Sequence, residues 1–205
     1  MTSESERIVG LYERHARAWA GDRGRIRQFV EKPWLDRFTA LVAPGGTVLD
    51  LGCGFAKPMA SYLMSQGFDV CGVDSSPTMI SLARKEFPQR QWIAADMRTL
   101  DLKRRFAGIL AWDSFFHLSF DDQRRMFPVF AAHASSNAPL LFTSGPRHGE
   151  AIGQLRGEPL YHASLDPDEY RALLAANGFA VVDARMDDPD CGGHCVWLAR
   201  KAEDR

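Results

Sequence analysis

The 205-residue chain is short of several things, and each shortage removes a class of function. It has no apolar run long enough to cross a bilayer as a helix, and its first residues, Met1 to Arg7, are polar and charged, unlike a secretory signal. It has no excess of one charge: 25 Lys and Arg stand against 26 Asp and Glu, so no global field recruits nucleic acid or an anionic membrane. A cytoplasmic location is expected, with neither nucleic acid nor membrane as partner. Cysteine is sparse. Cys53, Cys71, Cys191 and Cys195 fall at irregular intervals in a chain too large to need disulfide staples. The cluster Cys191-Gly-Gly-His194-Cys195 lacks the second ligand pair that a metal site of matching spacing requires, so no metal is expected and the segment reads as a glycine turn between strands. Internal repeats and low-complexity tracts are also missing.

What remains is an ordinary globular composition, 45% hydrophobic and 25% charged, long enough for one domain with a sizeable core. Two amphipathic helices are expected first, over 4–20 and 31–42, the second with Pro33 in its first turn. From Gly45 onward short apolar runs alternate with helical ones. Strands are expected over 47–51, 68–73, 92–95, 109–112 and 140–144. Helices are expected over 57–66, 76–87 and 121–133, the last kinked by Pro128. Asp166-Pro-Asp-Glu169 opens a further helix that stops at Asn177-Gly178. Strands over 179–186 and 194–201 then form a closing hairpin. The reading is an α/β fold with a mainly parallel sheet whose final strand is antiparallel. Residues 1–42 form an N-terminal helical segment and 43–205 the main domain.

The chemistry concentrates in Val48-Leu-Asp-Leu-Gly-Cys-Gly-Phe-Ala-Lys-Pro58. A buried strand ends in Asp50, and a loop with Gly52, Cys53 and Gly54 leads into a helix, which lets backbone approach a ligand at the carboxyl end of a parallel sheet. A dinucleotide site would need a third glycine where Lys57 stands, so a nicotinamide-dependent reductase is the weaker alternative. A carboxylate ahead of the glycines suits a cationic ligand better than a pyrophosphate. Asp74, followed by Ser75, ends the second strand, where a carboxylate can accept both hydroxyls of a ribose. Asp96 and Met97 end the third, where an aspartate can take an adenine amine beside an apolar wall. A lone strand-end Asp is usually a turn former; three in succession beside a glycine loop are not.

This pattern resembles the class I S-adenosylmethionine-dependent methyltransferases, over residues 44–201. The resemblance implies a Rossmann-like three-layer sandwich with strand order 3-2-1-4-5-7-6, the seventh antiparallel. It implies S-adenosylmethionine as cofactor, S-adenosylhomocysteine as product, and a small-molecule acceptor, in a monomer or homodimer. On that likeness Asp50, Gly52, Cys53 and Gly54 cradle the methionine end, Asp74 the ribose, and Asp96 and Met97 the adenine, with Ser75 and Met79 as further cofactor contacts. Trp112 with Asp113 and His117, after the fourth strand, faces the transferred methyl, with the last two as catalytic candidates. Methyl transfer gains most from positioning, so His117 is either a base or a hydrogen-bond donor flanking a helix. The chain has Ala56 where the family often has a third glycine, acceptable if the torsion there is negative. Tyr12 and Trp19, seven apart on one helical face, resemble a lid over the cofactor or else simply pack, with Gly21 to Gly24 as a flexible exit. Acceptor contacts are expected from Trp34 and from Arg147, His148, Tyr161 and His162 in the long connection 145–165, which either builds a pocket or is a solvated excursion. No Asn-Pro-Pro-Tyr element follows the fourth strand, which argues against methylation of a nucleobase or amide nitrogen. A domain that binds the cofactor without turning over remains the non-enzymatic alternative.

Overall fold

The computed structural model describes residues 4–24 and 28–203. Parts of the N-terminal segment, residues 1–3 and 25–27, lie outside the described residues, as do 204 and 205. Along the chain come α1 (Glu4–Arg23), α2 (Lys32–Thr39), β1 (Thr47–Leu51), α3 (Met59–Ser65), β2 (Asp69–Asp74), α4 (Pro77–Glu86), β3 (Gln91–Ala94) and β4 (Gly108–Ala111). Then follow α5 (Phe120–His133), β5 (Pro139–Ser144), β6 (Gly149–Leu155), β7 (Glu158–Ser164), α6 (Pro167–Ala176), β8 (Phe179–Asp188) and β9 (His194–Lys201). The main sheet runs β3-β2-β1-β4-β5-β9-β8. Its first five strands pair in parallel, and β9 is antiparallel to both β5 and β8. Setting aside the β6–β7 hairpin, this is the expected order 3-2-1-4-5-7-6. None of the described helices is long and apolar enough to cross a membrane.

Period-two alternation along buried strands builds the core on both faces. Leu49, Leu51, Val73, Ile109, Phe142 and Trp197 pack toward α5 and α6, with Phe127, Phe130 and Tyr170. Val48, Val70, Leu110, Leu141, Val196 and Leu198 pack toward α2, α3 and α4, with Phe38, Leu63 and Ile80. Local signals start the helices. Ser76 Oγ accepts from Met79 N, Ser119 caps α5 through Asp122 N, and Asp166 caps α6 through Asp168 N.

Two expectations about connections are corrected. The segment 145–165 is neither an irregular loop nor a solvated excursion: β6 and β7 pair as an antiparallel hairpin of their own. Its strands show weak alternation because one face is solvent-exposed and the other rests on α1. There Leu155, Tyr161 and Ala163 form a small apolar cluster with Ile8 and Leu11. Helix α1 also runs on to Arg23, so Gly21 is helical and not a flexible exit. The α5 helix is continuous through Pro128.

Candidate functional site

The carboxyl ends of β1 to β4 open into a cleft with an empty volume of about 1130 Å³, roofed by α1. The glycine loop forms its floor. Gly52 N and Cys53 N both donate to Val73 O, at 2.8 and 3.1 Å, which ties the loop to the neighbouring strand end. Gly52 sits at φ +76°, and a Cβ there would stand 2.2 Å from Ser114 Cβ, so only glycine lets the two segments approach this closely. Ala56 is at φ +71°, not the negative torsion expected, and it is buried. The loop therefore keeps the left-handed turn of a glycine and carries a methyl group in it.

Asp74 receives the loop as well. Gly54 N donates to its Oδ2 at 2.9 Å and Ser76 N to its Oδ1 at 2.8 Å. Burial pushes this carboxyl up, and the two backbone donors oppose that. Each oxygen retains a lone pair, and Asp74, Ser75 and Met79 all line the cleft. Further along the rim, Asp96 is clasped by Arg98, whose Nε and Nη2 reach its carboxylate at 2.6–3.0 Å. Burial raises the Asp96 carboxyl, but the Arg98 hydrogen bonds outweigh it and leave it below its ordinary value.

Asp50 departs from expectation. It is 2% exposed, does not line the cleft, and lies one layer beneath the loop with Oδ2 unpartnered among the described residues. Burial, and next the charge of Asp74, push its carboxyl up to about 7. Any effect it has on a ligand passes through the loop backbone.

The roof and the β4 end meet at His117. Its Nδ1 lies 2.8 Å from Tyr161 O and its Nε2 2.9 Å from Tyr12 Oη. A carbonyl only accepts, so Nδ1 carries the proton. Burial pushes His117 down to about 4, which leaves Nε2 bare to accept from the Tyr12 hydroxyl. Burial, with Asp113 and Asp74 behind it, raises the Tyr12 phenol above its usual range, so it stays protonated. Tyr12 and Trp19 meet edge to face at 5.9 Å and both line the cleft.

Trp112 also lines the cleft; its Nε1 donor is buried without a partner among the described residues. Asp113 follows at φ +47°, and its N–H donates to Thr143 Oγ1 at 2.9 Å. A second cavity, about 1070 Å³ of empty space, lies beyond it. Phe116, Arg147, His148, Glu150, His162 and His194 are among its walls. His148 stacks on Phe120 at 4.5 Å, and His162 lies 4.9 Å from the His117 ring.

Two expected acceptor residues lie elsewhere. Trp34 is 3% exposed, lines neither cavity, and donates from Nε1 to Asp188 Oδ2 at 2.8 Å, because its helix face packs under the sheet. Tyr161 is turned into the α1 cluster and donates its hydroxyl to Glu150 Oε1 at 2.6 Å, so only its carbonyl serves the site.

Several site residues had no local signal. Glu13 of α1 accepts from the Ser76 and Thr78 hydroxyls and from Thr78 N, a contact across more than sixty positions. Arg98 and Ser114 gain their roles only once strand ends converge. His194 did have a signal. An antiparallel last strand begins at the carboxyl edge of the parallel strands, so its first residue faces the ligand side. The Cys191–Cys195 segment is indeed a turn, with Gly192 and Gly193 at positive φ, and it delivers His194 to Asp113.

Comparison with known proteins agrees with this geometry. Residues 48–136 match the family model of a methyltransferase domain. An O-methyltransferase of Pyrenophora dematioidea is 28% identical over 166 residues, covering 73% of this chain. The chain spans 61% of that relative's length. A 1,6-didemethyltoxoflavin-N1-methyltransferase from Burkholderia thailandensis, solved with its substrate and S-adenosylhomocysteine, superimposes with a TM-score of 0.72 at 22% identity, over 99% of this chain and 92% of that one. An amino pentose methyltransferase from Micromonospora echinaspora, solved with S-adenosylmethionine, gives 0.71 at 19% identity, over 90% and 96%. The fold is that of the class I methyltransferases.

Proposed function

We propose that this chain, whose residues 48–136 form a methyltransferase domain, is an S-adenosylmethionine-dependent methyltransferase acting on an O, N or S atom of a small molecule. The observation that carries the reading is the conjunction at one cleft of a glycine loop, strand-end carboxylates at Asp74 and Asp96, and an aromatic-faced helix above them. The cleft suits the cofactor. A Cβ at Gly54 would meet only open space, so the loop leaves room there, and Trp112 brings a buried donor without a partner among the described residues. Bound there, the cofactor supplies a methyl group on a sulfonium.

In this reading the Gly52–Gly54 backbone and Trp112 hold the methionine end, Asp74 accepts the ribose hydroxyls with its spare lone pairs, and Met97 beside the Asp96–Arg98 clasp walls the adenine. Tyr12 and Trp19 present aromatic faces to the cation, each contact worth about 0.5–2 kcal/mol. Both nitrogens of His117 are spent on Tyr12 and Tyr161, so it acts as a latch for the roof and not as a base. The second cavity takes the body of the acceptor, with Arg147, His148 and His162 along its walls.

Calorimetric titration tests the reading. S-adenosylhomocysteine is expected to bind and NADH not to. Asp74→Ala is expected to weaken S-adenosylhomocysteine by about 2–4 kcal/mol, the worth of two charge-assisted hydrogen bonds. Because Asp74 also anchors Gly54 and Ser76, the melting temperature of the ligand-free variant separates loss of contacts from loss of the loop. Undiminished affinity in a folded variant overturns the assignment.

A further inference from the structure

We propose that His194 is a cationic positioning residue that holds the Asp113 carboxylate as proton acceptor for a hydroxyl group on the methyl acceptor. The proposal rests on the methyltransferase reading above and narrows its substrate to a class.

The geometry fixes the state of His194. Its Nδ1 lies 2.6 Å from Cys191 O, and its Nε2 lies 3.0 and 3.3 Å from the two oxygens of Asp113. Carbonyl and carboxylate only accept, so both ring nitrogens must carry protons and the ring is an imidazolium. Asp113, foremost, pushes its pKa up to about 9, against the opposing effect of burial. The groups facing it from packed segments are Asp113 after β4 and Glu31 ahead of α2, with the Cys191 and Cys195 thiols nearby. Glu31 is already paired with Arg23. Asp113 is therefore the direct anionic partner of this cation.

Asp113 is aimed with some effort. A non-glycine residue at φ +47° sits in a sparsely populated backbone region, and the Thr143 hydroxyl fixes its amide. Its Oδ2 accepts from His194 Nε2 at 3.3 Å, and Oδ1, 3.0 Å from the same nitrogen, is buried with no hydrogen-bond partner among the described residues, while the side chain as a whole stays 36% exposed along the cleft. The imidazolium thus holds the carboxylate in place, and Oδ2 keeps a second lone pair for an incoming hydroxyl. His194 lies on the wall of the second cavity and Asp113 on that of the cleft, so the pair stands where an acceptor would enter the reacting zone.

A carboxylate acceptor would meet repulsion from Asp113 and would need no base. A hydroxyl needs one at the moment of attack. The acceptor oxygen forms its bond to the methyl carbon as the carbon–sulfur bond breaks with its electron pair left on sulfur. The hydroxyl proton passes to Asp113 Oδ2. His194 holds that carboxylate in place until then.

The test begins with the histidine itself. Nitrogen-detected NMR of the full chain should show His194 protonated at neutral pH, with a midpoint near 9. That midpoint should fall by more than one pH unit in Asp113→Asn. In wild type, turnover of simple phenols should hold up to about pH 9 and decline beyond. His194→Gln should cut kcat on phenols at least about tenfold, with S-adenosylhomocysteine affinity within about twofold of wild type and KM little moved. A wild-type midpoint below 7, or a midpoint that ignores Asp113→Asn, overturns the pairing. Turnover of carboxylic acids or alkylamines with no turnover of any phenol overturns the proton-acceptor role. Failure of S-adenosylhomocysteine to bind wild type would instead defeat the underlying reading, and the NMR midpoint would still stand on its own.

Discussion

The floor of the cleft and its roof are built by different physics. The floor is strand ends and backbone: Gly52, Cys53 and Gly54 are tied by main-chain donors to Val73 and Asp74, above residues such as Leu49, Leu51 and Val73 that are fully buried. The roof is α1 and the β6–β7 hairpin, joined by a small apolar cluster around Ile8, Leu11 and Leu155. Its other ties are side-chain contacts: Tyr12 to His117, Glu13 to Ser76 and Thr78, Arg14 and His15 to Glu158, Arg156 to Asp22. Of these, the exposed ion pairs of Glu158 and Asp22 join α1 to the hairpin within the roof, and the hydrogen bonds of Tyr12 and Glu13 tie α1 to the floor. The floor is preformed, whereas the roof can part from it at modest cost.

The comparison is broken most severely by deleting residues 1–24. None of the sheet pairings among the described residues involves them, so the remainder should still unfold cooperatively. The aromatic contacts of Tyr12 and Trp19 go with them, and S-adenosylhomocysteine affinity is expected to fall by about 2–4 kcal/mol, with turnover nearly abolished. Equal affinity in truncated and full-length protein, measured by calorimetry, would reduce the roof to ordinary packing.

The same division governs what the sequence could say. The floor was legible because its signals are local: apolar runs of strand length, glycines after Leu51, an acidic residue closing each run. Even there, Asp50 is expected at the cleft and lies buried away from its lining, since strand alternation alone does not tell the upper layer from the lower. The roof was legible only as helices and aromatics. The β6–β7 hairpin was missed because Gly149–Leu155 is exposed along most of its length and so lacks a buried stripe. Trp34 and Tyr161 were misplaced for a related reason: an aromatic side chain does not announce whether it faces a cavity or a neighbouring element. Contacts such as Glu13 with Thr78 depend on tertiary closure and leave no trace at either position.

A finer test touches only the latch. Tyr12→Phe keeps the ring and its edge-to-face contact with Trp19 but leaves the His117 Nε2 acceptor without its donor. Losing one buried hydrogen bond costs about 1–2 kcal/mol, and the cost falls on the closed roof. Amide exchange over residues 8–20 should quicken severalfold, while exchange in β1, β2 and β4 stays unchanged. S-adenosylhomocysteine affinity should weaken by about fivefold to thirtyfold. If exchange in the central strands quickens equally, roof and floor are a single cooperative unit and the distinction fails.

The smallest expected effect lies in the floor, at Ala56. An L-residue at φ +71° carries about 1–2 kcal/mol of steric cost that glycine would not. Against that, Ala56→Gly removes a buried methyl, worth about 0.8 kcal/mol, and loosens the unfolded chain by about 0.4–1 kcal/mol. These terms nearly cancel. The loop is also held independently of the side chain: Ala56 N donates to Cys53 O at 3.0 Å, and Ala56 O accepts from Ser61 N at 2.9 Å. Melting temperature should therefore move by no more than about 4 °C, and S-adenosylhomocysteine affinity by less than about fivefold. The outcome matches what a negative torsion would have given, but it arises here from compensation. A gain in affinity of tenfold or more would mean that the alanine holds the natural loop away from the cofactor. The floor would then be the strained half of the cleft, and a protein that binds without turnover would become the better reading.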